Sequence, residues 1–250
     1  VEEIKLEYKI QEPPSELKDF VERYYWIRNK TSSKKEIVVI PDGRVDLFFI
    51  IEETGNLSGT LIGLETKPTT AFFPPNCTFI GISFKLLAIE YILKTSIADI
   101  INTGKELPDH FWDITVEDTA DFGHFCSKVS TAVKTKNTLP IDERKQKLFN
   151  LIYQTNGSLK VKEYAEKVCW SERQINRYFH LTFGLSLKAV CNLLRFRSSF
   201  QHIKDGYLYP EQNYFDQAHF IKEVKKLTKF TPKELSQNEN DRFLQFSTIR

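Results

Sequence analysis

The chain has 250 residues, with 35 Lys+Arg against 33 Asp+Glu, a net charge of +2, and 41% hydrophobic residues. This composition fits a globular chain with material for one large domain or two small ones. It excludes collagen-like and low-complexity chains, and no run approaches the roughly 20 apolar residues of a membrane helix.

The near-neutral sum hides an asymmetry around Pro140. Residues 1–140 carry 16 Lys+Arg and 21 Asp+Glu, net −5, whereas residues 141–250 carry 19 and 12, net +7. Such a split suggests that the second half meets a polyanion. The N-terminal VEEIKLEYKI lacks a basic region followed by an apolar stretch, so a cytoplasmic location is expected.

In chain order, Pro13–Tyr25 reads as a short helix, with Ser15 as N-cap and Leu17, Phe20, Val21 and Tyr24 at helical spacing. Glu36–Ile51 holds two β-branched and aromatic runs around the tight turn Pro41-Asp42-Gly43. Gly55–Gly59 is a second break, and Thr60–Leu64, Thr70–Phe73 and Thr78–Phe84 are further short strands. Strands at this spacing predict an antiparallel sandwich or small barrel. Arg44 and Asp46 share one strand face, either turned to a ligand or solvated. With Phe48, Phe72 and Phe84 they are the candidate ligand pocket, although such an aromatic cluster is more often plain core.

From about residue 85 the period becomes helical. Leu86–Lys94 and Ile97–Asn102 are short segments, and Thr115–Lys134 is a longer one. Its apolar face suits either dimer packing or its own core. The polar stretch before Pro140 marks a domain boundary.

Chemistry-bearing patterns are sparse. Cys77, Cys126, Cys169 and Cys191 are scattered, with no CxxC pair, and the five His are dispersed. No HExxH, GxSxG or GxxxxGK[ST] pattern occurs, so no catalytic residue, metal or cofactor is expected. A small-molecule-binding β-barrel enzyme with a helical appendage, or a protein-interaction adaptor, is the alternative to a nucleic-acid binder.

The second half is richer. Asp142–Thr155 is amphipathic, Leu159–Val168 suits a short helix, and Ser171 is placed to cap a helix over about Glu172–Phe183. That helix turns Ile175, Tyr178, Phe179 and Thr182 one way and Arg173, Asn176, Arg177 and His180 the other. Gly184 closes it. A short helix, a tight turn and a helix with this stripe make a helix-turn-helix pattern, in which Arg can fork onto guanine and Asn can pair with adenine in a major groove; a charged stripe that is simply solvated is the alternative. Forty-five residues on, Asp216 repeats the cap, Phe220, Val224 and Leu227 turn inward, and Ala218, His219, Lys222 and Lys226 turn outward. Leu187–Ile203 reads as the helix between the two units.

Residues 143–235 resemble the DNA-binding domain of the AraC/XylS family of transcription regulators. The likeness rests on Ser171, Arg173, Ile175, Arg177, Phe179, Gly184, Ser186 and Arg195, then on Tyr214, the run Asp216-Gln217-Ala218-His219-Phe220, and Thr231-Pro232. Pro41-Asp42-Gly43, Val45-Asp46-Leu47 and Gly81-Ile82-Ser83-Phe84 are similar to a sensor domain found fused to such modules, with Lys85-Leu86-Leu87 departing from its Pro-Gly. Lys229 and Asn213 stand where the family has Gly, Leu187 replaces a common Pro, and Pro210 falls within the expected first helix of the second unit.

The resemblance implies an α+β chain: a β-sandwich or barrel-like sensor or dimerisation domain over 1–140 (β-rich to about 84, helical over 85–136), an all-α DNA-binding domain over 141–236, and a tail over 237–250. Glu172, Arg173, Asn176, Arg177 and His180 would read bases from the first recognition helix, and Gln217, His219 and Lys222 from the second. Lys188, Lys225 and Lys226 would touch phosphates. Double-stranded DNA, a small-molecule effector, a second copy of the chain and RNA polymerase are the implied partners, and no membrane.

Overall fold

The computed structural model describes residues 6–207, 214 and 216–248. Seven strands come first: β1 (Leu6–Gln11), β2 (Val21–Asn29), β3 (Lys35–Val39), β4 (Val45–Ile51), β5 (Leu57–Ile62), β6 (Thr69–Phe73) and β7 (Thr78–Phe84). Then come α1 (Leu87–Tyr91), β8 (Gly104–Glu106), α2 (Val116–Thr119) and α3 (Phe122–Lys136). The remainder is helical: α4 (Glu143–Gln154), α5 (Val161–Val168), α6 (Glu172–Phe183), α7 (Leu187–Ser198), α8 (Phe200–Lys204), α9 (Gln217–Thr228), α10 (Pro232–Gln237) and α11 (Leu244–Thr248). The class is α+β, as the sequence predicts.

Among the described residues the named strands pair antiparallel, and Val38 of β3 also makes an isolated parallel bridge with Phe243. The main sheet runs β1-β2-β7-β4-β5-β8, and β3 pairs with β6 in a separate ribbon. Pro41-Asp42-Gly43 therefore carries the chain from the ribbon into the sheet rather than closing a hairpin.

One face of the main sheet packs on the helices. Val45, Leu47 and Phe49 of β4, with Ile80, Ile82 and Phe84 of β7, share a buried cluster with Phe125, Leu148, Phe149, Phe179 and Leu194. The apolar core thus runs on past Pro140. Leu6, Tyr25, Ile27, Ile37 and Phe73 form a second cluster on the side of the ribbon. A third joins Val38 and Ile40 to Phe196, Phe200, Phe220, Val224, Leu235, Phe243 and Phe246.

Three sequence expectations need correcting. Pro13–Tyr25 is not a helix: only Ser15–Leu17 makes a 3-10 turn, and β2 starts at Val21. A register shift between Val21 and Arg23 puts Val21 and Tyr24 into the same helix-side cluster. A bulge adds one residue, so strand residues three apart share a face and imitate a helical period. Thr115–Lys134 divides into α2 and α3, and Phe125, Cys126, Val129 and Val133 of α3 are buried in the chain's own core, so that face is not available for dimer packing. Leu187–Ile203 breaks at Ser199, whose hydroxyl donates to the Phe196 carbonyl at 2.6 Å.

Candidate functional site

The side of the main sheet facing the ribbon forms the floor of a cavity of about 200 Å³. Register sets its polarity. Arg23, Ser83 and Asp46 lie in one row across β2, β7 and β4; the next row is Tyr25, Gly81 and Phe48, and the next begins Ile27, Phe79. Successive rows on one face are two residues, about 7 Å, apart. The floor therefore passes from charged to aromatic in one step. Gly81 makes the middle row possible: a Cβ there would lie 2.8 Å from both the Tyr25 ring and Phe48.

The ribbon supplies the opposite wall through Ile37, Val39, Thr69, Ala71 and Phe73. The C-terminal segment completes it. Val38 N–H donates to the Arg242 carbonyl at 2.7 Å. The Gln245 side chain, buried, accepts from Ile40 N–H at 3.0 Å and donates to the Ile40 carbonyl at 2.8 Å. Leu244, Gln245 and Thr248 line the cavity, and Arg23 donates to Thr248 Oγ1 at 3.3 Å. Their neighbours belong elsewhere: Phe243, just before the short helix α11, and Phe246, within it, sit in the cluster that holds α9.

Charge gathers at one end. Arg44 Nη1 stands 3.3 Å from Asp42 and Nη2 3.9 Å from Glu22, which also pairs with Arg197. Burial alone would raise the Glu22 carboxyl, but Arg197, Arg44 and Lys85 together hold it below its ordinary value. Burial pulls the Arg44 guanidinium down to about 10. Asp46, which accepts from Ser83 Oγ, is raised by burial and by Asp42. Glu65 is pushed up to about 8, first by burial and then by Asp42. The Nε atoms of Arg23 and Arg44 are buried with no acceptor among the described residues.

Of the candidate pocket residues, Arg44, Asp46 and Phe48 line the cavity. Phe72 contributes to the lining but is 46% exposed, with Lys34 Nζ 3.5 Å above its ring. Phe84 does not belong: it shares the pleat face of Ile80 and Ile82, is fully buried on the helix side and meets Trp112 edge-on. Arg23, Tyr25, Glu65, Gln245 and Thr248 escape sequence reasoning. Alternation of Arg23, Tyr25 and Ile27 was the available signal for the first two, masked by the bulge.

The helical half displays a second surface. α5 and α6 are joined by a short turn in which Cys169 adopts a left-handed conformation (φ 54°). Ser171 Oγ accepts from Gln174 N–H at 3.2 Å, and Gln174 Oε1 accepts from Ser171 N–H at 3.0 Å, closing a capping box. Ile175, Phe179 and Phe183 are buried, whereas Glu172, Arg173, Arg177 and His180 are exposed. Asn176 is half-buried, and its Oδ1 accepts from Leu187 N–H at 3.3 Å. The end of α6 is held by the first half of the chain. Ile97 N–H and Ser96 Oγ donate to the carbonyls of Thr182 (2.9 Å) and Leu181 (2.7 Å), and Tyr178 donates to Glu90 at 2.8 Å. Gly184 combines φ +73° with a site where a Cβ would lie 2.9 Å from Ala98 backbone, so no larger residue fits.

α9 is built alike. Asp216 accepts from His219 N–H at 2.7 Å, and Lys229 closes the helix at φ 66°. Phe220, Val224 and Thr228 are buried; Gln217, His219, Lys222, Lys225 and Lys226 are exposed, as is Lys188 at the start of α7. Pro210 and Asn213 lie outside the described residues.

Residues 9–106 match a family model described as "Domain of unknown function (DUF6597)". No curated protein matches the chain. Among solved structures, an apo form of a single-substitution variant of ToxT from Vibrio cholerae aligns at 9% identity and TM-score 0.44, over 92% of this chain and 96% of that one. ToxT from Vibrio cholerae O395 bound to (E)-4-(8-methylnaphthalen-1-yl)but-3-enoic acid aligns at 12% identity and TM-score 0.41, over 93% and 98%.

Proposed function

We propose that the chain is a sequence-specific DNA-binding transcription regulator of the AraC/XylS type, whose sheet half (1–140) senses an effector and whose helical half (141–236) reads DNA. The observation that carries this reading is the pair of capped helices, α6 and α9, each burying an apolar face and presenting basic and amide side chains outward. A helix so placed supplies Arg and Asn for base edges and Lys for phosphates. Arg173 and Arg177 make no hydrogen bond or ion pair with other described residues, so neither must break one to meet a base. Glu172, Asn176 and His180 complete the reading set of α6, and Gln217, His219 and Lys222 form that of α9. Lys188, Lys225 and Lys226 bind phosphate. Asn176 is a reader with a competing duty, because its carbonyl oxygen already serves Leu187, and the His219 ring lies 5.9 Å from that of Tyr214.

The cavity is the effector site, and the Arg242–Thr248 segment is its link to DNA reading. That segment closes the cavity with Leu244, Gln245 and Thr248 and supports α9 with Phe243 and Phe246. A ligand that moves it changes the seat of α9, which is the differential contact that effector control requires.

Footprinting on genomic fragments selected by the protein tests the reading. Two protected major-groove segments about 34 Å apart on one DNA face are expected, with affinity that falls steeply as salt rises. No affinity for DNA even at low salt would overturn it and leave the enzyme or adaptor.

A further inference from the structure

We propose that the cavity takes a small zwitterion with an aromatic body, an aromatic α-amino acid being the class that fits, with its carboxylate on Arg23 and Arg44 and its ammonium on Asp46 and Glu65. This rests on the reading of the cavity as the effector site.

The size comes first. The cavity is partly open to solvent and holds about 200 Å³, below the roughly 300–1,000 Å³ of sites for drug-sized ligands. The occupant is therefore small. The floor then dictates its polarity: the row Arg23–Ser83–Asp46 is one step of about 7 Å from the row Tyr25–Gly81–Phe48. A molecule with a polar head and a ring one short stem away matches that step. Phe73 and Phe79, in edge-on contact at 4.3 Å, extend the aromatic end.

The charged end sets the head group. It holds groups of both signs: guanidinium donors without an acceptor among the described residues, and two carboxyls that have hydroxyl partners, Ser83 for Asp46 and Thr69 for Glu65. The Nε donors of Arg23 and Arg44 have no acceptor among the described residues although both are buried. Buried donors of this kind are costly unless a partner arrives. Asp46 and Glu65 line the same end, and burial and Asp42 disfavour their ionised forms. A ligand cation removes that penalty, since an opposite charge favours the ionised carboxyl. An anion alone would settle the guanidinium donors but sit beside Asp42, Asp46 and Glu65. A cation alone would settle the acids but leave the donors unmet and lie beside two guanidinium groups. A head bearing both charges meets both demands with no net charge carried into the cavity.

Titration calorimetry of the full chain with L-phenylalanine, phenylpropanoate and phenethylamine tests this. L-phenylalanine should bind, and each half-ligand should bind roughly tenfold or more weakly, the order expected when one buried polar partner is left unpaired. Glu65→Gln should narrow the gap between L-phenylalanine and phenylpropanoate, and Arg23→Met the gap between L-phenylalanine and phenethylamine. Equal or tighter binding of either half-ligand overturns the zwitterion, as does binding of none of the three. Ala71→Phe separates that failure from failure of the effector reading. Its ring grows from the ribbon wall into the cavity, and the variant must first melt cooperatively. If it changes DNA affinity while no probe binds, the cavity still controls DNA binding and the ligand class is wrong. If DNA affinity is unchanged and no probe binds, both readings fall.

Discussion

α6 and α9 present similar faces to solvent and both bury an apolar face, but α6 adds directional bonds to the first half of the chain. Ile97 and Ser96 donate to the last carbonyls of α6 and Tyr178 donates to Glu90, while Ala98 backbone lies close against Gly184. α9 rests on an aromatic cluster shared with β3 and with the segment that closes the cavity. Hydrogen bonds fix a geometry, whereas an apolar cluster transmits volume and position through packing. On the proposed function, the difference gives the two helices separate tasks: α6 would hold register on DNA, and α9 would respond to what the cavity contains.

The largest expected effect comes from the shared cluster. Phe246 is buried and stacks near Phe200 at 5.2 Å. Phe246→Ala should cost about 3–5 kcal/mol of local stability, read by hydrogen exchange as lost protection in α9 with α6 unchanged. Equal loss in both helices would break the contrast. The cavity side sharpens it through pH. The Glu65 carboxyl holds its proton up to about 8 in the folded chain, against an ordinary value of 4.5. The folded state therefore binds the proton more tightly than the unfolded one. The stability this confers is complete below about pH 4.5 and is lost as pH rises through about 8. Thermal unfolding across that window should show the decline in the parent chain and a flatter profile in Glu65→Gln.

On the reading face, Arg177→Ala should cost about 1–3 kcal/mol on the selected operator and little on random DNA. Parallel titrations check it, and equal loss on both would make Arg177 a phosphate contact. The smallest effect is at the end of α9. Lys229 holds a left-handed conformation that costs a non-glycine residue roughly 1 kcal/mol. Lys229→Gly should raise stability by about that amount in denaturant unfolding. The corresponding end of α6 already has glycine and offers no such gain.

The helical half was largely legible in the sequence because its signals are local. Ser171 and Asp216 as caps, Gly184 as closure and the two-faced period of Glu172–Phe183 each depend on residues within a few positions. The cavity was legible only in part. Arg44, Asp46 and Phe48 declare a shared strand face, but which face Phe84 takes depends on pairing with β4 and on the helices behind β7. The bulge in β2 disguised Arg23 and Tyr25. Gln245 reaches Ile40 across 205 residues, and no local pattern announces a bond of that span.

The most direct test of the account is a footprint of the parent chain beside Gln245→Ala on the same operator. The substitution removes both bonds to Ile40 and loosens the segment that joins the cavity to α9. Protection in the half of the operator read by α9 should weaken while the half read by α6 keeps its protection. Equal weakening of both halves, or no change in either, would contradict the separation of tasks.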